Sequence, residues 1–273
     1  LIRRMTLVYV PAAANFVSLR RIEGDSRASQ PWFGFGDFQR VTPQQADATF
    51  QGPSCALSAR LFADLPDLPY AKLELAASRA IFHAPASDEL LGADFTVPAI
   101  ERADLAQYRV LHFATHALLP SELPCAKEAA IVTSPPPGAR SADRAMLTTS
   151  DITDLRLNAD LVVLSACNTG GSNGRDGGEA LSGIARAFFF AGARALMVTQ
   201  WAVNDQVSSY LVATTLQRLA ADGQSAASLR AAQLALIEGA GHGMPADLAD
   251  PFYWAPFVVI GDGGTSTQAS TVN

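Results

Sequence analysis

Two apolar runs of equal length, each ending at a reactive side chain, constrain the fold of this 273-residue chain most strongly. The first runs from Val110 to His116 and the second from Leu161 to Cys167, and both spacings are six positions (116 − 110 and 167 − 161). Runs without polar alternation are typical of strands buried on both faces, as in parallel sheets. Two such strands side by side would bring the imidazole and the thiol to one edge of a sheet, as a cysteine nucleophile requires.

Strands and helices alternate along the rest of the chain. Predicted strands cover 6–10, 32–36, 108–114, 161–166, 195–199 and 257–260, and residues 129–133 form a further apolar stretch. Predicted helices cover 56–64, 71–82, 98–106, 149–155, a segment around 181–189, 205–221 and 225–238. Gly192 follows one of these helices, where a left-handed residue is favoured. This alternation predicts an α/β fold, with a mostly parallel central sheet between two helical layers. Such sheets hold their sites beyond the carboxyl ends of the strands.

Composition narrows the class of protein. Hydrophobic residues make up 49% of the chain and charged residues 17%, which predicts a packed core. The net charge is −6, and no basic run is longer than two residues, so we expect no nucleic-acid partner. The apolar stretch 185–201 is interrupted by Arg186 and Arg194, so we expect no membrane span. The first residue is Leu1 rather than Met, which suggests a piece of a longer polypeptide.

The three cysteines are widely spaced and form no C-x-x-C pair. A disulfide scaffold and a zinc site are therefore not expected, and a reducing cytoplasm fits this usage best. We expect Cys55 and Cys125 to be small buried residues or plain surface residues. Cys167 differs because it follows a strand and precedes a polar, glycine-rich loop. It is the candidate nucleophile.

The four histidines differ in their predicted positions. His112 lies inside its strand and is expected to serve the core, whereas His116 lies at the strand tip and is the better general base. His83 and His242 lie near the ends of predicted elements and are expected at the surface. We find no P-loop, dinucleotide-binding fingerprint, serine elbow or clustered metal ligands, so no cofactor or metal is expected.

Several motifs, in a fixed order between residues 107 and 262, carry a family resemblance. They are His112–His116 (HFATH), Leu164–Gly170 (LSACNTG), Gly178–Phe188, Ala191–Ala195, Trp201–Asp205 and Phe252–Phe257. Together they resemble the CHAT-domain peptidases, a caspase-like branch of clan CD that is related to separase and often attached to TPR repeats. His116 also precedes Cys167 by 51 positions (167 − 116), close to the spacing of about 50 in caspases.

The resemblance implies a caspase-like three-layer sandwich and a His116/Cys167 dyad that hydrolyses peptide bonds. Backbone amides of Ala117 and Cys167 would hold the oxyanion; the commonest form of the family has glycine where this chain has Ala117. One domain would span residues 1–262, with 1–106 as its less clearly patterned N-terminal part and 107–262 as its catalytic core. Residues 263–273 would form a flexible tail.

The resemblance extends to other members of clan CD, such as separase and clostripain. These peptidases cleave after Arg or Lys and have an acidic residue in the S1 pocket. Trp201–Asp205 resembles the Trp-x-Val-x-Asp stretch of separase, which makes Asp205 the candidate S1 carboxylate. Asp205 also suits a helix N-cap, and the two roles can coexist. Glu179 and Asp176 are reserve S1 candidates.

We therefore expect a bacterial, cytoplasmic cysteine endopeptidase that acts on protein or peptide substrates after a basic P1 residue. The alternative is a catalytically weak interaction module that serves as a switch and is regulated by an upstream TPR segment or another partner. A hydrolase of small amides is a third hypothesis, which activity on single amino-acid amides would distinguish.

Overall fold

The computed structural model describes residues 1–10, 26–121, 123–165, 177–201 and 204–263 and, for residues 177–182, the backbone only. Its strands are β1 Gln30–Gly36, β2 Glu89–Leu91, β3 Tyr108–Ala114, β4 Ala117–Leu118, β5 Ala130–Val132, β6 Met146–Thr148, β7 Leu161–Leu164, β8 Ala195–Thr199 and β9 Phe257–Gly261. Its α-helices are α1 Pro43–Thr49, α2 Ala56–Ala63, α3 Ala71–Phe82, α4 Val97–Arg102, α5 Thr149–Asp154, α6 Gly177–Ala191, α7 Asp205–Asp222, α8 Ser225–Gly239 and α9 Pro251–Trp254. None of the described helices is both long enough and apolar enough to cross a membrane.

The main sheet has the strand order β2-β1-β3-β7-β8-β9. Its strands run parallel except β9, which pairs antiparallel with β8. The strands β3 and β7 are direct neighbours, and Phe113 lies opposite Leu164 in their register. The prediction that the two apolar runs supply adjacent strands is therefore confirmed for Val110–Phe113 and Leu161–Leu164, which pair in parallel with their carboxyl ends at the same edge.

Both faces of this sheet are covered by helices. Phe35 and Phe113 point to the face covered by α4, α5 and α6. Trp32 and Val163 point to the opposite face, covered by α3, α7 and α8. Because successive residues of a strand face opposite sides, strands buried on both faces need apolar residues throughout. The predicted three-layer α/β sandwich is confirmed.

A side module packs beside the main sheet. We give this name to α1, α2 and the small antiparallel sheet β4-β5-β6, which share a buried cluster around Phe50, Phe62 and Leu118. In this module Cys55 and Cys125 form a disulfide, with their Cα atoms 5.7 Å apart across a sequence separation of 70. The expectation that these two cysteines are plain buried or surface residues is wrong. The pairing depends on tertiary packing between distant segments, which spacing along the chain does not reveal.

Several element boundaries differ from prediction. Residues 6–10 form no strand, and only Tyr9 makes a bridge, to Ile260 of β9. The helix predicted over 98–106 ends at Arg102 and is followed by a 3-10 turn. Gly192 does end α6 with a positive φ of 116°, and a Cβ there would collide with the carbonyl of Leu157. Strands β2, β4 and β6 were not predicted, because elements of two or three residues have no readable period, whereas β5 lies within the apolar stretch 129–133.

Candidate active site

His116 lies between β3 and β4, just beyond the carboxyl end of a central strand, and is 2% exposed. Its Nε2 atom is 2.8 Å from the carbonyl oxygen of Pro66. A carbonyl oxygen only accepts hydrogen bonds, so Nε2 carries the hydrogen and donates it. In the neutral ring Nδ1 then holds the free lone pair, and Nδ1 has no hydrogen-bond partner in the part of the chain that the structure describes. The ring is therefore held in one orientation, and its basic nitrogen is buried and unpaired among the described residues.

The surroundings of His116 favour the neutral ring. Burial lowers its pKa below the ordinary value of 6.5, while the Pro66 carbonyl and the carboxylates of Asp205 and Asp67 act in the opposite direction. The ring of Phe38 packs edge-on against the imidazole, with centroids 5.4 Å apart. A neutral imidazole is the form that can accept a proton, and the two nearby carboxylates stabilise the charge that it gains.

Asp205 is the first residue of α7, and the capping role falls to its neighbour. Asn204 is the N-cap, and its Oδ1 atom accepts from the backbone N–H groups of Gln206 and Val207. The Oδ2 atom of Asp205 instead accepts from the backbone N–H of Tyr70, 2.9 Å away, at the start of α3. Asp205 thus supplies a hydrogen-bond acceptor for the N-terminus of another helix, which lacks a side-chain cap of its own.

The carboxylate of Asp205 is half-buried and lies within electrostatic reach of both His116 and Glu74. Burial raises its pKa, the charge of Glu74 adds to that increase, and His116 lowers it. A partly desolvated carboxylate beside a basic imidazole is typical of functional sites. The position is compatible with the predicted role in substrate binding, and it also couples Asp205 to the general-base candidate.

His112 has a different environment, as predicted for a core histidine. Its Nε2 atom is 2.7 Å from Oε1 of Glu74, and the two side chains are 0% and 3% exposed. Sequence reasoning missed Glu74 as a partner. The available signal was its place on the buried stripe of α3, with Ala71, Leu75 and Ser78. A carboxylate on an apolar helix face implies a buried partner.

Three of the remaining predicted residues have no described side chain. Cys167 and Asp176 lie outside the described residues, and Glu179 belongs to α6, of which only the backbone is described at that position. Ala117 opens β4. Among the described non-glycine residues a positive φ occurs only at Asp37 and His83, so the backbone at Ala117 does not require glycine.

The other two histidines lie at the surface, away from His116. His83 and His242 are exposed, which confirms their predicted surface location. His83 ends α3 in the left-handed conformation, with φ 53°. Within the described ranges no group of three or more His, Cys, Asp or Glu side chains is arranged to hold a metal ion.

A mostly parallel sheet between helical layers, with a histidine at the carboxyl end of a central strand, is consistent with a caspase-like sandwich. The chain matches the CHAT domain family over residues 1–262 and belongs to that family. It is also 33% identical over 116 residues to tetratricopeptide repeat protein 28 of Mus musculus. That match covers 42% of this chain and 4% of the mouse protein, so the chain spans only a small fraction of its relative's length.

Proposed function

We propose that this chain is a cysteine endopeptidase, with Cys167 as the nucleophile and His116 as the general acid and base. The register between β3 and β7 supports this assignment most directly. Phe113 lies opposite Leu164, and each is three positions before its reactive residue (116 − 113 and 167 − 164). Adjacent strands lie about 4.8 Å apart, so equal offsets beyond paired residues favour an imidazole and a thiol that meet.

The chemistry follows from the orientation of the imidazole. The lone pair on Nδ1 of His116 accepts the thiol proton of Cys167, and the thiolate attacks the scissile carbonyl carbon. A C–S bond forms, and the carbonyl oxygen becomes an oxyanion held by backbone N–H groups, for which Ala117 and Cys167 are the candidates. The proton on Nδ1 then passes to the leaving nitrogen as the C–N bond breaks. Water, deprotonated by the same nitrogen, hydrolyses the acyl-enzyme and restores the thiol.

The fixed contacts of His116 suit both halves of this cycle. The Nε2–H group donates to Pro66 whether the ring is neutral or protonated, so the ring keeps its orientation while Nδ1 gains and loses a proton. The carboxylates of Asp205 and Asp67 favour the imidazolium that forms in the first half. Orientation and electrostatic preorganisation of this kind commonly supply most of the rate enhancement of an enzyme.

For specificity we propose a basic P1 residue. Asp205 is the first candidate for the S1 carboxylate, because it is half-buried and influences the pKa of the candidate base. Its Oδ2 atom is engaged by Tyr70, which fixes the carboxylate in place. Glu179 and Asp176 remain reserve candidates. A charged guanidinium or ammonium would pair with such a carboxylate.

Labelling with a peptidyl electrophile that ends in Arg tests the nucleophile. We expect one mass increment on Cys167, no increment on Cys55 or Cys125, and no labelling of a Cys167→Ala protein. A peptide-library profile of cleavage sites then reports activity and pocket charge together. Equal labelling of all three cysteines, or unchanged cleavage by Cys167→Ala, would show that the assignment is wrong.

The similarity to a tetratricopeptide repeat protein supports a second candidate function, an interaction module with weak catalysis that a repeat segment controls. Turnover of Arg and Lys peptides by this chain alone separates the two. Cleavage by the isolated chain favours the peptidase. Cleavage only after a repeat-containing segment is supplied favours the switch.

A further inference from the structure

The disulfide between Cys55 and Cys125 has no part in the proposed reaction, yet it joins the two segments that hold His116. Cys55 ends the 3-10 turn that leads into α2, and Cys125 lies in the segment between β4 and β5. Neither cysteine is fully buried. The bridge therefore connects the region before α2 with the region after β4, and a reductant can reach it.

Both segments also meet at His116. The first continues through α2 to Pro66, whose carbonyl accepts the Nε2–H hydrogen bond. The second begins at His116 and runs through β4 to Cys125. The disulfide and this hydrogen bond are thus two cross-links between the same pair of segments. They are separated by 11 positions on one segment (66 − 55) and by 9 on the other (125 − 116).

Apolar packing fills the space between the two cross-links. Phe62 and Leu65 from the first segment share one buried cluster with Leu118 and Leu123 from the second. Phe38 packs against this cluster and also against the imidazole of His116. Because close-packed interiors transmit displacements, a change at the disulfide end reaches the hydrogen-bond end.

We infer that Cys55 and Cys125 are positioning residues for His116, and that reduction of their disulfide by a dithiol loosens the Pro66 acceptor and lowers activity. In that step the two sulfurs of the dithiol join as a disulfide. Their two electrons and two protons convert Cys55 and Cys125 to free thiols. The effect on activity rests on the proposed function, whereas the effect on the imidazole does not.

Activity then requires Cys167 and the Cys55–Cys125 pair in opposite redox states. Cys167 has to be a thiol to act as nucleophile, whereas Cys55 and Cys125 have to be oxidised to hold the base. Activity should therefore pass through a maximum as the reduction potential is lowered. A simple cysteine nucleophile would instead reach a plateau under reducing conditions.

Nuclear magnetic resonance of the imidazole nitrogens provides the test, because the chain has only four histidines. In the oxidised protein we expect His116 in a single Nε2–H tautomer. After treatment with a dithiol, we expect a mixture of the two neutral tautomers, because the Pro66 carbonyl then no longer holds the hydrogen on Nε2. Peptide cleavage should fall roughly 10- to 100-fold, as misplaced catalytic groups commonly cause.

Two variants control for general loosening. Cys55→Ser with Cys125→Ser should show the reduced signature from the start and respond to dithiol no further. Phe50→Leu weakens the same module, where Phe50 packs against Phe62 at 6.0 Å, but keeps the disulfide. It should lower the melting temperature and leave the His116 tautomer unchanged.

The outcomes separate the two proposals. An unchanged His116 signature after complete reduction would overturn the positioning role, as would an equal change in Phe50→Leu. Alkylation of both Cys55 and Cys125 in the non-reduced protein would overturn it as well. A changed signature with no peptide cleavage in any redox state supports the positioning role and refutes the peptidase.

Discussion

Two histidines four positions apart, His112 and His116, lie in different environments. His112 and His116 are 0% and 2% exposed, and each bonds through Nε2 and has no partner at Nδ1 among the described residues. Their acceptors differ: a carboxylate of Glu74 at 2.7 Å for the first and a backbone carbonyl of Pro66 at 2.8 Å for the second. Burial and hydrogen-bond number therefore do not distinguish a structural histidine from a candidate base. The two histidines are distinguished by the hydrogen-bond acceptor of each ring and by the position of each residue relative to β3.

Those two differences have chemical consequences. His112 lies in the middle of β3, where Trp32 packs edge-on at 6.2 Å and α3 covers the ring. Its hydrogen bond to the buried Glu74 carboxylate holds the ring inside the core. His116 lies beyond the strand, at the edge where sites of parallel sheets form. Its neutral acceptor lets the ring gain or lose a proton at the other nitrogen while it keeps its orientation.

The largest expected effect is on the rate of peptide cleavage, where the variants of His116 and His112 should differ most. His116→Gln should lower kcat/KM for a cleaved peptide by roughly 10²- to 10⁴-fold, the usual contribution of a general acid and base. His112→Gln in the same assay should leave kcat/KM nearly unchanged in the folded protein. Equal losses in both variants would show that the comparison does not identify the base.

The next largest effect is on the free energy of unfolding, and here the His112 variant should lose more than the His116 variant. His112→Leu removes the only described donor to the buried Glu74 carboxylate, which should lower the free energy of unfolding by about 3–5 kcal/mol. His116→Leu leaves one backbone carbonyl unpaired, which should cost about 1–3 kcal/mol. Urea denaturation of both variants measures the difference. A larger loss in His116→Leu would contradict the structural assignment of His112.

These contrasts also show what could be predicted from sequence. The adjacent strands and the different positions of the two histidines on and beyond β3 were predictable, because unbroken apolar runs indicate strands buried on both faces. Position along such a run then decides which residue reaches the edge of the sheet. The Pro66 acceptor was not predictable, since a backbone carbonyl is present at every position and gives no signal of residue type.

Other parts of the site depended on tertiary packing. Glu74 looks like an ordinary helix carboxylate until the buried stripe of α3 is known. The pairing of Cys55 with Cys125 spans 70 positions, and it requires the side module to bring the start of α2 near the segment after β4. The role of Cys167 remains a prediction, supported by the paired strands that precede it.

A smaller effect concerns the carboxylate beside His116. Because Asp205 raises the pKa of His116, Asp205→Asn should lower that pKa and move the acidic limb of the pH–rate profile to lower pH. Titration of the His116 ring signals measures the shift directly. Asp47→Asn, which removes an exposed charge on α1, is the matched control and should leave the titration unchanged. If Asp205 also forms the S1 pocket, its variant should lose preference for Arg over uncharged residues at P1.

The smallest effect is the dependence of stability on pH. Burial lowers the pKa of folded His116 below 6.5, so between the two values the unfolded chain binds the proton more readily. The contribution of His116 to the free energy of unfolding should therefore be fully retained above about pH 6.5 and fall as the pH decreases toward the folded pKa. The loss amounts to about 1.4 kcal/mol for each pH unit that separates the unfolded and folded pKa values of His116. His116→Gln should lack this contribution. Comparison of wild-type and variant urea midpoints at pH 8 and pH 5 isolates it, and parallel changes in the two proteins would assign the pH dependence to other groups.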